Sequence, residues 1–297
     1  MSIFSPPEST KYNVLSLGAG VQSSCLALMA EHGEIKPKPD FAVFADTQSE
    51  PKAVYEWLEY LKTKLSYPVY TVTGGDLGKA CLESSFVKKE NSKKPVGTEY
   101  ILNLIPAFAH YEDTGKTKLA IGRLCTRHYK IDPVHKFIKQ TCEVKRGQKN
   151  ATVTQWIGIS WDEVQRMKDS RVPWCIHRHP LIEIKMRRGD CLQWMKKNGY
   201  EEPPRSACTF CPFRHNDEWR DLRDNSPEEF AEAIKFDEDL RNHYKRVDNK
   251  YKEGWSERTV YIHSSCKPLG EIDFDNDQDK GQGVFDFQSE CEGMCGV

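Results

Sequence analysis

Apolar and polar positions along the first 75 residues follow two alternating periods, and the period switches at regular intervals. Tyr12, Val14, Leu15 and Leu17 lie in a short apolar run, YNVLSLG, which predicts a strand. The run breaks at Gly18-Ala19-Gly20, and a helix-forming stretch is predicted near residues 21–32. FAVFAD over 41–46 predicts a second strand, VYEWLEYLKTKL a helix near 53–65, and PVYTVT a third strand over 68–73. Two strand–helix–strand crossovers predict an α/β fold, a doubly wound, mostly parallel sheet with helices on its faces. Ligands of such sheets collect at the carboxyl ends of the strands. The glycine turn and Asp46 both fall there.

The pattern is interrupted over 84–98, SSFVKKENSKKPVGT, a polar, Lys-rich excursion. It resumes with a helix predicted near 128–142 and a strand over 152–159. After about residue 165 the character changes to short helices (190–198, 215–223 and 227–241) separated by Pro-, Cys- and Arg-rich loops, with an acidic, irregular tail over 271–290. The expected organisation is a nucleotide-binding domain over 1–165 and a smaller, mainly helical, Cys-containing C-terminal subdomain with its tail over 166–297. No internal repeat is present.

Composition narrows the class. No run in the 297 residues approaches the roughly 18 apolar positions of a membrane span. The first residues, MSIFSPPESTKYNV, lack the basic-then-apolar plan of a signal peptide. A cytoplasmic location with no membrane partner is therefore expected. In that reducing compartment the 11 cysteines point to metal binding or redox chemistry rather than to a disulfide framework. A net charge of -1 gives no global case for nucleic-acid binding, although local basic stretches occur at 123–130, 171–179 and 185–188.

The glycine turn can place backbone N–H groups and the hydroxyls of Ser23 and Ser24 on phosphate oxygens, because helix N-terminal amides attract anions. Gly18 and Gly20 would permit a close backbone approach. Asp46, in Asp46-Thr47-Gln48-Ser49-Glu50-Pro51, can meet a ribose, an adenine edge or a metal near phosphates, and is equally placed to cap the next helix. Gly158-Ile159-Ser160-Trp161-Asp162-Glu163, followed by Arg166 and Arg171, supplies a third loop on the same rim.

These three loops resemble those of the phosphoadenosine-phosphosulfate reductase and ATP-pyrophosphatase superfamily, the adenine nucleotide alpha-hydrolase-like group. The shared marks are a phosphate loop after the first strand, D-T-x-x-E after the second and G-I-x-x-D-E-x-x-R after a later one. The family loop S-G-G-x-D-S lies against residues 18–23. Gly20 and Ser23 are kept, whereas Gly18, Ala19 and Gln22 depart, the last replacing the family's Asp. The resemblance covers residues 12–165. It implies that ATP is held by Ser16, Gly18, Gly20, Gln22, Ser23, Ser24, Asp46 and Gly158, with Mg²⁺. Ser23, Asp46 and Arg166 are the implied catalytic residues, and the implied reaction is cleavage between the α and β phosphates.

Cys208 and Cys211 form a C-x-x-C turn closed by Pro212, and Cys125 and Cys191 complete a plausible tetrathiolate set. An iron–sulfur cluster, a structural zinc and unligated buried thiols all satisfy this spacing. Cys291 and Cys295 add a C-x-x-x-C near the C-terminus, which reads either as a redox pair or as an incidental tail. C-T-x-x-Y-K-I-x-P together with C-x-x-C-P resembles the superfamily branch that inserts sulfur into nucleic acids. That branch includes tRNA thiolases and the ATP-pyrophosphatase component of DNA phosphorothioation systems. It implies an iron–sulfur cluster, of [4Fe-4S] type, on Cys125, Cys208, Cys211 and Cys191, and a cysteine desulfurase as sulfur donor. The implied acceptor is a nucleic acid, DNA ahead of tRNA. Arg123, Arg127, Lys130, Arg187, Arg188, Arg205 and Arg214 are the cations expected to follow its phosphates, with Trp161, Trp174, Trp194 and Phe213 able to stack on bases. A phosphoadenylyl-sulfate reductase and a non-catalytic, zinc-stabilised nucleotide-binding subunit are the rival readings.

Overall fold

The alternating segments fold in the predicted order. In the computed structural model, residues 10–88, 95–112, 114–119, 123–249 and 258–275 are described. The chain begins with β1 (Tyr12–Ser16), α1 (Val21–Glu31), β2 (Phe41–Asp46), α2 (Lys52–Lys64) and β3 (Val69–Thr73). There follow α3 (Leu77–Cys81) and the short strands β4 (Ser84–Phe86), β5 (Glu99–Ile101), β6 (Phe108–Tyr111) and β7 (Thr117–Leu119). A π-helical turn (Thr126–Ile131) leads into α4 (Asp132–Thr141) and β8 (Val153–Ile157). A 3₁₀ segment (Trp161–Arg166), β9 (Cys175–Arg178), α5 (Pro180–Glu183) and α6 (Arg188–Lys197) come next. The last elements include α7 (Asn216–Asn225), α8 (Pro227–Asn249) and β10 (Arg258–Tyr261). Among the described residues no helix is long and apolar enough to cross a membrane.

The chain divides into two compact units. Of the described residues, the first takes in those up to Gly75 and Thr126–Ala207, and the second those of Asp76–Cys125 and from Cys208 to Asp275.

The first unit holds a five-stranded sheet of order β3-β2-β1-β8-β9, every pair parallel. This is the expected doubly wound architecture. Leu15, Ala42, Phe44 and Trp156 face α1, α2 and α6, whereas Val14, Phe41, Val43, Val153 and Cys175 face α4. Burial on both sides explains the apolar run of β2, while β8 is wholly buried yet carries Thr154 and Gln155. In α2 the buried positions are Val54, Trp57, Leu58 and Leu61, one stripe at helical spacing. All of Val21–Ala30 is buried, so α1 is the central helix of its layer.

The strand order reverses between β1 and β8, since β2 and β3 lie to one side of β1 and β8 and β9 to the other. A crevice opens at such a switch point, outside the carboxyl ends of the strands. β9 was not predicted. Its sequence CIHR carries no apolar alternation, and its place comes from pairing with β8, Val153 opposite Cys175 through Trp156 opposite Arg178.

The second unit contains a three-stranded antiparallel sheet of order β10-β6-β7 and a β4–β5 hairpin. The hairpin flanks the Lys-rich excursion, whose residues 89–94 lie outside the described residues. Helix α8 extends well past the predicted residue 241. Its buried Asp237 accepts from the amides of Ile262 and Leu269, each at 3.0 Å, and pairs with Arg241. Phe236 stacks on Phe210 with centroids 3.8 Å apart.

Candidate nucleotide site

The three loops named from sequence all belong to the first unit and leave the carboxyl ends of β1, β2 and β8. Ser16 ends β1, and its Oγ accepts from Gln155 Nε2 at 2.6 Å. Ala19 then turns the chain at φ 61°, and Gly20 precedes α1 in extended conformation at φ -91° and ψ -174°. The left-handed position therefore falls on an alanine and not on a flanking glycine. A non-glycine residue in that region is held there by its surroundings.

Ser23 closes the loop. Its Oγ accepts from the Gly18 amide at 3.2 Å and donates to the Gly20 carbonyl at 3.4 Å. Ser24 turns to the helix layer, where its Oγ accepts from Trp57 Nε1 at 2.9 Å. The amides of Gly20, Val21 and Gln22 have no acceptor among the described residues, so the start of this 11-residue helix presents N–H groups to an anion.

Gln22 is wholly buried and spans the switch point. Its Nε2 donates to Glu163 Oε2 at 3.1 Å, and the other Glu163 oxygen pairs with Arg166. The glycine loop is thereby tied to the loop after Gly158. The geometry also accounts for the departure from the family loop. An Asp at position 22 would set two carboxylates against each other, whereas the amide donates to Glu163. Burial pushes the Glu163 carboxyl upward and Arg166 pulls it back.

Asp46 ends β2. One of its oxygens accepts from the Gln48 amide at 2.7 Å and from the Tyr55 hydroxyl at 2.8 Å. Its second oxygen has no partner among the described residues and is available to a ribose hydroxyl or a cation. Gln48 completes the turn at φ 57°.

The last residue of D-T-x-x-E has a separate task. Glu50 is buried, accepts from Lys130 Nζ at 3.2 Å and lies 3.5 Å from Thr47 Oγ1. Lys130 comes from the π-helical turn, so the two motifs read separately in sequence meet as one buried ion pair. π-helical turns are frequent at functional sites. Gly74 lets this turn approach, because a Cβ there would lie 2.7 Å from the His128 carbonyl oxygen and 3.2 Å from Pro133 Cγ.

Lys130 is thus withdrawn from the cations expected to follow a nucleic-acid backbone. Arg214 is buried as well, its guanidinium over Trp219 and donating to the Cys208 carbonyl at 3.4 Å. Trp174 is core, packed in the α4 layer. Arg123 lies over the Phe213 ring, and Trp194 donates to Glu34.

Of the four predicted ligand cysteines, Cys191 lies in the first unit, buried in α6 among the core side chains beside α1. Cys125, Cys208 and Cys211 belong to the second unit. Cys208 and Cys211 share a tight turn, with the Cys211 amide donating to the Cys208 carbonyl at 2.9 Å. Cys125 has Cys81 as an electrostatic neighbour, a thiol that sequence spacing gave no reason to select. Among the described residues no three His, Cys, Asp or Glu side chains are gathered so as to hold a metal ion. Cys291 and Cys295 lie outside the described residues.

No family model and no curated protein matches the chain. Among solved structures it is similar to phosphoadenylyl-sulfate (PAPS) reductase from Candida auris in its phosphate complex. That similarity has 11% identity and a TM-score of 0.39, and covers 68% of this chain and 78% of that one.

Proposed function

We propose that the chain is a nucleotide-using enzyme whose first unit binds ATP at the switch point and cleaves it between the α and β phosphates. The observation that carries this reading is the union of three loops at one rim. Among the described residues the first amides of α1 have no acceptor and one Asp46 oxygen has no partner, and Gln22 and Glu163 hold Arg166 beside them. An acceptor oxygen attacks the α-phosphorus, the α–β bridging P–O bond breaks, and pyrophosphate leaves with its charge met by amides and Arg166. Mg²⁺ fits the open oxygen of Asp46 and would neutralise phosphate charge when bound.

In the finer form of the proposal the acceptor is a nucleic-acid oxygen, in DNA ahead of tRNA, in the cytoplasm. Adenylation makes that oxygen a leaving group. The terminal sulfur of a cysteine-desulfurase-derived persulfide attacks the activated centre, and AMP departs with the displaced oxygen. A second thiol, the two-electron reductant, cleaves the S–S bond, freeing the thio product and leaving a disulfide. The Cys208–Cys211 turn and Cys125 are the thiols offered to an iron–sulfur cluster in this scheme, and no step above depends on it.

The test has two parts. Pyrophosphate release from ATP should fall by up to about 100-fold in Ser23→Ala, because the loop loses the bond that sets its geometry. Unchanged release would refute the loop assignment. Nuclease digests of DNA and tRNA from cells with and without the gene, compared by mass spectrometry, should differ in a sulfur-containing nucleotide. A sulfonucleotide reductase would instead consume its substrate with no pyrophosphate released.

A further inference from the structure

Three of the nine histidines line one cavity in the first unit, which shares Ile159 and Arg166 with the loop after β8. His177 lies in β9 and His179 just beyond it, and strand alternation sends both to the face covered by α4, which contributes His135. The intervening Arg178 points the other way, pairing with Glu183 and stacking on Trp156. The cavity has a volume of about 60 Å³.

Each of the three rings carries a buried Nε2 with no hydrogen-bond partner. Buried polar atoms are nearly always satisfied, so three orphans at one cavity call for a ligand. The tautomer is fixed for His177. Its Nδ1 lies 2.9 Å from the Lys168 carbonyl oxygen, which can only accept, so Nδ1 bears the proton and Nε2 is a bare lone pair. Burial disfavours the charged form of all three rings, taking His135 and His179 down to about 4 and His177 downward as well. The Lys168 carbonyl and Asp169 oppose this at His177 and Asp169 at His179, and at His135 His177 and Lys139 lower while Gln155 and Asp132 raise. At neutral pH His177 Nε2 therefore accepts a hydrogen bond from whatever fills the cavity.

The rest of the lining is cationic on balance. Lys168 and Arg171 contribute positive charge, Asp169 negative, and Arg166 reaches the wall from its pair with Glu163. Cations demand an anion, while the His177 lone pair demands a ligand that brings its own proton. Hydrogen phosphate, free or as a monoester end, satisfies both demands. Sulfate carries no proton at this pH and would set its oxygens against that lone pair. A transition metal, the other usual ligand of neutral imidazole, needs three side chains gathered on one point, an arrangement not found among the described residues.

We propose that the His135–His177–His179 cavity is a binding site for protonated oxyanions that selects hydrogen phosphate over sulfate. The selection is independent of whether the neighbouring loops bind ATP. Isothermal titration of the full chain with inorganic phosphate and with sulfate, at pH 7.5 and matched ionic strength, tests it. Phosphate should bind about tenfold or more tightly than sulfate, the difference between one buried hydrogen bond made and one refused. His177→Gln and His179→Gln each supply an amide that can turn its N–H₂ to the anion, so sulfate should gain and the ratio should fall towards one. In the wild type the ratio should also fall when the titration is repeated near pH 5, as the rings take up protons with the anion. Equal affinity at pH 7.5, no phosphate binding, or a ratio unmoved in both folded variants would overturn the proposal. Far-ultraviolet circular dichroism identifies a variant that has not folded, and the pH comparison needs no variant.

Discussion

In the first unit, sheet neighbours β1, β2 and β3 are consecutive strands joined by single helices, and each strand carries its own apolar run. In the second, β6 pairs with β10 across the whole intervening stretch that builds the other unit. Both units nonetheless rely on one buried, charged tie. In the first, Glu50 and Lys130 join a strand-end loop to the π-helical turn. In the second, Asp237 holds two backbone amides and Arg241 in place. Local sequence pattern is enough to build a parallel sheet from consecutive crossovers. A sheet assembled from distant strands depends on tertiary ties that no local pattern announces.

The largest expected effect breaks the two ties in turn. Lys130→Met leaves Glu50 buried and uncompensated and should cost about 3–5 kcal/mol in urea denaturation. Asp237→Asn keeps an acceptor but loses the charge, and should cost about 1.5–3 kcal/mol. Hydrogen exchange should show lost amide protection centred on the first unit for one variant and on the second for the other. Protection lost evenly over both would erase the distinction.

An intermediate effect is expected inside the first unit. Gly74→Ala drives a Cβ into the His128 carbonyl and should destabilise by about 1–3 kcal/mol. A thermal melt measures it, and a variant as stable as wild type would show that the π-helical turn can move away freely.

The smallest effect sharpens the reading of the glycine loop. Ala19→Gly relieves left-handed strain of about 1–2 kcal/mol, but frees the unfolded chain by about 0.4–1 kcal/mol. It should lie slightly on the stable side of wild type. A clear loss in the melt would mean that the alanine methyl is needed for packing.

Strand and helix positions over residues 12–73 were legible because their burial follows periods that a sequence displays directly. The rim of the sheet was legible, since Ser16 and Asp46 end strands that hydrophobic periodicity had already located. Gln22 looked like a defect in its loop and proves to be the donor that Glu163 requires. Lys130 looked like a surface cation, and only its contact with Glu50 shows that it is buried. β9 and its two histidines were hidden for a related reason. An edge strand with histidine and arginine at alternating positions gives no apolar signal, and pairing with β8 alone sets its direction.

The sequence by itself determined the parallel α/β class, the order of the first crossovers and the rim on which the loops lie. Periodicity and glycine punctuation are local properties, readable without knowing what packs where. The tertiary structure decided which motifs touch. It joined the glycine loop to Glu163 across the switch point, Glu50 to the π-helical turn, and His135 to the two histidines at the end of β9. Those pairings depend on strand order and helix face, which fix distances between residues far apart in the chain.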